Sequence, residues 1–469
     1  MKYNSVSQSE TASSAPPRSF LGADALYTLT TDGVILMACK ALRLFSFGIL
    51  AVMLDIYLAE LKFSDSSIGM MFTLTLIGDA AMSIFLTSFA DSFGRKRTLI
   101  IGSILAVVTS ITFATQNSFL LLLVSAVIGV ISPSGNEIGP FMAIELSSLA
   151  QVTKDVDRTK LMAWYNLFGC FASAAGALLF GNIIQILIHS DYSLLDACRV
   201  VMGMYFIIQI LQTLLFSFLS PAIEVFHSAP GSSSVAQVNQ YPPRDGFLGL
   251  HKSKWIVLKL SLLFMIDSFG GSFILQTIVS GWFFHIYGTP TSKIGTMIFV
   301  CNIFAGVSAL FAAKLADSIG LVLTMVVTHL PSNVFIILVP LMPNETWAIA
   351  MLCLRYSISQ MDVPTRNAYV QGVVDPTERS AANGVTNVVR SIGGSVGPYC
   401  AGLLYSNPKY VDYPFFVAGS LKIIYDLLLL YSFTSLKPQH EIDAEKKYLK
   451  DNSSKEIEMA AVNNDEEDQ

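Results

Sequence analysis

The chain has 469 residues, of which 53% are hydrophobic and only 13% are charged. A soluble domain averages about 25% charged residues, so an ordinary soluble protein is excluded, and the apolar content also excludes a disordered chain. The net charge of −5 arises entirely from residues 437–469, which hold ten acidic and five basic residues. The remainder is balanced and gives no basic surface for nucleic acid. Composition therefore predicts an integral membrane protein.

Twelve apolar segments follow one another along the chain, each close to the roughly 20 residues that a membrane-spanning helix needs. In order they are 37–59, 67–90, 98–116, 118–143, 161–188, 197–219, 257–283, 292–315, 321–342, 345–363, 382–404 and 412–434. We predict an all-α membrane protein with twelve transmembrane helices in two six-helix bundles, residues 37–219 and 257–436. Residues 1–36 form a cytoplasmic N-terminal segment, 220–256 a cytoplasmic linker and 437–469 a disordered acidic tail.

The basic residues of the predicted loops orient the chain. Eleven Lys and Arg residues lie in loops on the side of the termini and four lie on the other side. Because basic loops stay in the cytoplasm, we predict that both termini are cytoplasmic. The membrane is the plasma membrane or that of a vacuole or another organelle, and the protein is expected to be a monomer.

Neither the cysteine spacing nor any common catalytic motif indicates an enzymatic, metal-binding or redox function. All six cysteines are scattered through apolar segments without a CxxC pair, which favours small packing residues over metal or redox roles. No HExxH, GxSxG or P-loop pattern occurs in the sequence. We therefore expect a protein that is not an enzyme and needs no cofactor or metal.

The two halves repeat each other. Residues 66–98 and 292–324 share identical residues at a constant offset of 226 positions, including the pairs Asp91 with Asp317 and Gly94 with Gly320. Residues 157–181 and 378–402 match in the same way at an offset of 221. Two parallel six-helix repeats place a binding site at their interface, near the middle of the bilayer.

The loop after the second segment carries a recognisable motif. Residues 89–97 read FADSFGRKR. This resembles the G-x-L-x-D-R-x-G-R-K/R signature of the major facilitator superfamily, although Ser92 stands where Arg is usual and the leading Gly is absent. With the twelve segments and the central linker, the resemblance covers essentially the whole chain. It implies a secondary transporter that works by alternating access, with the first, fourth, seventh and tenth helices lining the cavity.

Within this resemblance the motif loop is a predicted gate. We expect Arg95 or Arg97 to pair with Glu145 in the first half, and Asp317 to pair with Arg366 in the second half. These pairs would close the cytoplasmic side in the outward-open state; the alternative is that the loop only anchors the topology. The gating candidates are Asp91, Gly94, Arg95, Arg97, Glu145, Asp317 and Arg366.

Ionisable residues inside the predicted spans are the candidates for binding solute or protons. Each costs about 2.5–3.5 kcal/mol to insert, so a function or a buried partner is expected. Glu137 is the strongest proton candidate, because it lies in a stretch weakened by two prolines, and Arg355 is its expected partner. Asp267 and Asp79 are the further candidates. For each of these residues the alternative is a packing or hydrogen-bonding role.

Together these features predict a proton-coupled transporter of a small organic solute, in which Arg355 suits an anionic group. A rival interpretation is a transceptor or scaffold that keeps the fold, has lost transport and signals through its tail. Measurement of transport in reconstituted vesicles distinguishes the two.

Overall fold

A computed structural model describes residues 20–129, 131–133, 140–153, 155–224, 250–375, 378–434 and 436. These residues form fifteen α-helices, joined by short loops and 3₁₀ turns. In chain order they are α1 (Thr31–Glu60), α2 (Asp65–Phe93), α3 (Arg95–Thr115), α4 (Phe119–Ile128), α5 (Pro140–Val152), α6 (Asp155–His189), α7 (Leu194–Ser217), α8 (Lys254–Ser272), α9 (Gln276–Tyr287), α10 (Thr291–Ile319), α11 (Leu321–Leu338), α12 (Glu345–Ser359), α13 (Asp362–Val373), α14 (Arg379–Tyr405) and α15 (Tyr413–Phe433).

The helices account for all twelve predicted segments, and the fold is that of an all-α membrane protein. Nine stretches of the described chain are long and apolar enough to cross a bilayer, among them α8 and α9 taken together. The eleventh segment is the long helix α14, which is more polar because it carries Arg379 and Arg390. The fourth and tenth segments are each divided into two shorter helices, α4 with α5 and α12 with α13.

Some predicted boundaries differ from the helices. The first helix begins at Thr31, six residues before the predicted start, because Leu36 and Met37 are already buried against the first bundle. The fourth predicted segment, 118–143, contains two helices: α4 ends at Ile128 and α5 begins at Pro140, and residues 134–139 between them lie outside the described residues.

Helix starts and reversals follow local chemistry. The side chains of Thr30, Ser64 and Asn344 accept backbone N–H groups at the starts of α1, α2 and α12. Gly94 joins α2 to α3 and Gly320 joins α10 to α11, with φ of 108° and 85°. Only glycine adopts such angles without strain, which explains why both copies of the repeated loop keep it.

Three hydrophobic cores define how the bundles meet. We call the side where α1 begins and α15 ends the terminus side, and the opposite side the far side. One core combines both bundles on the far side, where Ile49 and Tyr57 of α1 join Val279 of α9 and Ile294 of α10. On the terminus side each bundle has its own core. The core of the first bundle contains residues such as Leu36 and Phe141, and that of the second contains residues such as Leu260 and Tyr425.

Glycines bring helices of the two bundles into contact on the far side. A Cβ atom on Gly69 of α2 would lie 2.4 Å from the Pro398 carbonyl oxygen of α14. A Cβ atom on Gly295 of α10 would lie 2.4 Å from the Ala177 carbonyl oxygen of α6. Such separations are possible only without side chains, so the bundles are sealed to each other on the far side.

Candidate functional site

A buried ion pair joins the first and fourth spans. Two nitrogens of the Arg43 guanidinium in α1 donate to the two carboxylate oxygens of Glu145 in α5, each at 2.6 Å. The side chains are 2% and 0% exposed, and the Tyr165 hydroxyl of α6 donates to the same carboxylate. Glu145 is thus paired with Arg43 in this structure, and its predicted pairing with Arg95 or Arg97 in the outward-open state stays a prediction.

The motif loop is instead fastened within its own bundle. The Arg95 guanidinium donates to the side-chain oxygen of Gln151 at 2.7 Å and to the Ile223 carbonyl at 3.2 Å. The Glu224 carboxylate accepts the backbone N–H of Arg95 at 2.6 Å, at the start of α3, where a helix dipole favours an anion. These contacts match the anchoring alternative in the conformation seen.

Arg97 and Asp91 are two further members of the predicted gate, and only Arg97 has a described side chain. Arg97 is exposed. The side chain of Asp91 lies outside the described residues, so its role in the gate stays a prediction.

The corresponding position in the second bundle is also an ion pair. The Arg366 guanidinium of α13 is 4% exposed and donates to Asp362 at 2.9 Å and to Asp267 of α8 at 3.3 Å. Asp317, the predicted partner of Arg366, is exposed at the end of α10. Here the arginine turns into the bundle toward the seventh span, and its predicted pairing with Asp317 in the outward-open state stays a prediction.

The two ion pairs are pseudo-symmetric with their charges exchanged. Glu145 and Arg366 differ by the repeat offset of 221, and each stands seven residues before the end of its helix, about 10 Å in at 1.5 Å per residue. In the first bundle the acid is on the fourth span and the arginine on the first. In the second bundle the arginine is on the tenth span and the acid, Asp267, on the seventh.

The second ion pair extends into a larger network. The Lys422 ammonium of α15 donates to Asp267 at 2.6 Å. In the same bundle, Nδ1 of His329 in α11 lies 2.8 Å from Asp426, and Nε2 lies 3.7 Å from Asp267. Asn333 donates to Asp426 at 2.8 Å, and Asp426 is 0% exposed. This chain of contacts spans α8, α11, α13 and α15.

Sequence reasoning did not single out His329, Lys422 and Asp426. The signal was available: Lys422 and Asp426 stand one helical turn apart in the apolar twelfth segment, and His329 interrupts the ninth. The spacing did not reveal that His329 and Lys422 contact Asp267, or that Asp426 joins them through His329, because the ninth and twelfth segments are not those that the resemblance places around the cavity.

Asp79 differs from Glu145, Asp267 and Asp426, which all have polar partners inside the spans. It lies near the middle of α2, is 1% exposed, and neither carboxylate oxygen has a hydrogen-bond partner among the described residues. A bare carboxylate at that depth is very costly, so the group is expected to be protonated or to bind something.

The predicted Glu137–Arg355 pair stays a prediction. Glu137 lies outside the described residues, which omit 134–139. Arg355 lies in α12, ten residues from its far-side end, and is half-buried. Its guanidinium carbon sits 4.6 Å from the ring centroid of Tyr356, and its Nε has no partner in the described part of the chain.

Comparison with known proteins places this architecture. A sequence model of the Major Facilitator Superfamily matches residues 36–398 and, in a second match, 260–456. The chain is 28% identical to an uncharacterized membrane protein of Saccharomyces cerevisiae, over 86% of this chain and 94% of that protein. It is 22% identical to the proton-coupled antiporter flippase LtaA of Staphylococcus haemolyticus, over 75% of this chain and 81% of that protein.

Solved structures share the fold. A mutant of the nucleoside transporter NupG matches with a TM-score of 0.67 at 13% identity, over 86% of this chain and 100% of that chain. The inward open xylose transporter XylE from E. coli matches with a TM-score of 0.64 at 14% identity, over 88% of this chain and 98% of that chain.

Proposed function

Because the chain belongs to the major facilitator superfamily, we propose that it transports a small organic solute across a membrane by alternating access, coupled to protons. The observation that carries this proposal is the arrangement of the three cores. The bundles share one core on the far side and keep separate cores on the terminus side. Two rigid bundles joined at one end only can rock about a site between them.

The terminus side is the cytoplasmic side in this proposal. Loops there carry eleven of the fifteen basic residues that lie in predicted loops, as cytoplasmic loops do. The structure therefore corresponds to an inward-facing state. In the outward-facing state the shared far-side core opens, and the motif loop with Asp91 and Asp317 joins the bundles on the cytoplasmic side.

Two carboxyl groups are proposed to carry the coupled proton. Asp79 is buried without a partner, so it is stable in its place only when neutral or when a change of conformation brings it water or a cation. Glu137 is retained from the sequence, in the interrupted fourth span. Asp267 is already held by Lys422 and Arg366, and we assign it to the ion-pair network that keeps the second bundle rigid.

Arg355 is proposed to bind the solute. It lies mid-depth in the tenth span, which the resemblance places on the cavity, and part of its guanidinium is unpartnered. An arginine in this setting binds a carboxylate or phosphate of a solute through two parallel hydrogen bonds. The name of the relative LtaA includes proton coupling, which supports the coupling but not a particular solute.

The test begins with a thermal-shift screen of the purified protein against metabolites, since a ligand that binds only the folded state stabilises it. Vesicles reconstituted with the protein are then assayed with each stabilising solute for pH-driven uptake and for counterflow. Asp79→Asn and Glu137→Gln remove one titrating group each. Asp191→Asn, at an exposed far-side loop, is the matched control.

We expect the proton-carrying residue to reveal itself by losing pH-driven uptake while keeping counterflow, because exchange needs no net proton movement. Wild-type behaviour of both variants in both assays would remove proton coupling through these two groups. Binding without transport of any stabilising solute would instead support the transceptor interpretation.

A further inference from the structure

A second candidate site lies on the far side, near the ends of the helices rather than at the mid-depth position of Arg355. A cavity of about 250 Å³ opens there between the bundles. Its walls come from α1 and α2 of the first bundle and from α9 and α14 of the second. Asp65 and His285 are exposed and stand at its mouth, while Asp55 is half-buried and lies deeper, five residues before the end of α1.

The acids of this cavity are not paired with basic residues in the part of the chain that the structure describes. No Lys, Arg or His makes an ion-pair contact with Asp55 or Asp65 there, unlike Glu145 and Asp267, which pair with arginine or lysine. The Tyr405 hydroxyl, which also lines the cavity, is buried and has no hydrogen-bond partner in the described chain. An acid and a hydroxyl are thus left without a partner beside the same space.

The remaining walls combine aliphatic side chains with aromatic residues and glycines. Phe72 and Trp282 line the cavity, and the Trp282 ring is held in place by a hydrogen bond from its Nε1 to Asp412 at 3.1 Å. Gly281 lets the Asp55 carboxylate rest directly on α9, because a Cβ atom there would lie only 1.7 Å from Asp55 Oδ2. Aromatic faces with a nearby carboxylate are the surroundings that attract organic cations.

We propose that this cavity binds a small organic cation, carried on an ammonium or quaternary ammonium group, that arrives from the far side. Asp55 neutralises the charge, the aromatic rings contact its alkyl groups, and the Tyr405 hydroxyl supplies a hydrogen bond. An inorganic cation would gain little from the aromatic walls, and a neutral solute would leave the carboxylate unpaired.

Occupancy of this site has a consequence for movement. Both bundles contribute walls, and they part on the far side when the transporter turns outward. A bound cation therefore favours the far-side-closed state in proportion to its affinity difference between the two states. This consequence rests on the alternating access proposed above, whereas the binding does not.

The experiment measures binding of choline to the purified full-length protein by calorimetry, with its neutral analogue 3,3-dimethyl-1-butanol as the comparison. We expect binding of choline only. Asp55→Asn should weaken it roughly tenfold or more, since contacts to charged groups exceed neutral ones by a kcal/mol or more. Gly281→Ala should weaken it similarly by displacing the carboxylate, and Asp191→Asn should leave it unchanged.

Three results would overturn the proposal. The first is equal binding of choline and the neutral analogue, and the second is wild-type choline affinity in a folded Asp55→Asn protein. The third is binding of sodium or potassium ions as tight as that of choline. Asp55→Asn is nearly isosteric, and size-exclusion chromatography establishes that it folds. Because binding is read without transport, failure here leaves the transporter proposal standing, and loss of transport leaves this site intact.

Discussion

Arg43 and Glu145 show what a charge requires inside this protein. Each is almost completely buried, and Arg43 donates two parallel hydrogen bonds to the Glu145 carboxylate, so that neither charge is exposed to lipid. Replacing such a pair with apolar residues is often neutral, whereas removing one member leaves the other charge buried and alone. The pair therefore fixes how α1 and α5 lie against each other, whatever its net contribution to stability.

The first prediction concerns this pair. Glu145→Gln should lower the free energy of unfolding by about 3–5 kcal/mol, because the buried Arg43 charge loses the carboxylate that neutralises it. The double variant Arg43→Met with Glu145→Gln should recover most of that loss. Thermal unfolding in detergent measures both, and a double variant no more stable than Glu145→Gln would show that the two residues do not act as a pair.

In both bundles the start of a helix is stabilised by a glutamate that is far away in the sequence but in direct contact. Glu224 accepts backbone N–H groups at the start of α3, and Glu378 does the same just before α8. The Glu378 carboxylate accepts the N–H groups of His251, Lys252 and Ser253 at 2.7–2.9 Å. Burial opposes ionisation, but these backbone donors outweigh it and hold the pKa of Glu378 below its ordinary value.

The second prediction follows from the sign of that pKa shift. A carboxyl with a lowered folded-state pKa contributes its full stability above the ordinary carboxyl pKa, and the contribution is lost as pH falls through the folded value. Glu378→Gln should therefore cost about 1.5–3 kcal/mol at neutral pH, and the deficit should shrink on acidification. Melting temperatures across the acid range measure it.

The control for this prediction is Glu60→Gln. Among the described residues the carboxylate of Glu60 pairs with the exposed Lys62 at 3.5 Å and with no other basic group, so this substitution should cost little stability at any pH. A Glu378→Gln deficit that is constant across the pH range would show that the carboxylate charge is not what stabilises the start of α8.

The whole molecule is divided by its packing into a sealed half and a separated half. On the far side, backbone atoms of the two bundles touch at Gly69, Gly181, Gly295 and Gly402. The Thr291 hydroxyl donates to the Gly181 carbonyl at 3.1 Å across the same interface. Because these contacts need close approach, even one added methyl group should shift the equilibrium away from the conformation that is closed on the far side.

The third prediction uses that sensitivity. Gly295→Ala places a Cβ atom 2.4 Å from the Ala177 carbonyl oxygen, which should push α6 and α10 apart and favour opening on the far side. Ser280→Cys, buried at the far-side interface, should then react faster with a maleimide. Gly384→Ala, which meets no atom within 4 Å, is the control. Equal labelling rates in the two backgrounds would contradict the proposed sealing role of Gly295.

Much of the architecture was readable before the structure. Low charge and twelve apolar segments predicted the membrane protein, because insertion energy depends on composition along the chain. The constant offsets predicted two repeats and made Glu145 and Arg366 counterparts. The ion pair of Asp362 with Arg366, within α13, has the i, i+4 spacing that sequence can show.

The partners across helices were not readable. Arg43 precedes Glu145 by 102 positions and Asp267 precedes Arg366 by 99, and nothing in the spacing distinguishes them from Arg95 or Asp317. Periodicity specifies which residues share a face of one helix, but not which face meets which neighbour. Which faces meet depends on how the helices rotate and cross when they pack. This packing places the partners of both ion pairs, the residues of the His329 network and the walls of the far-side cavity next to each other.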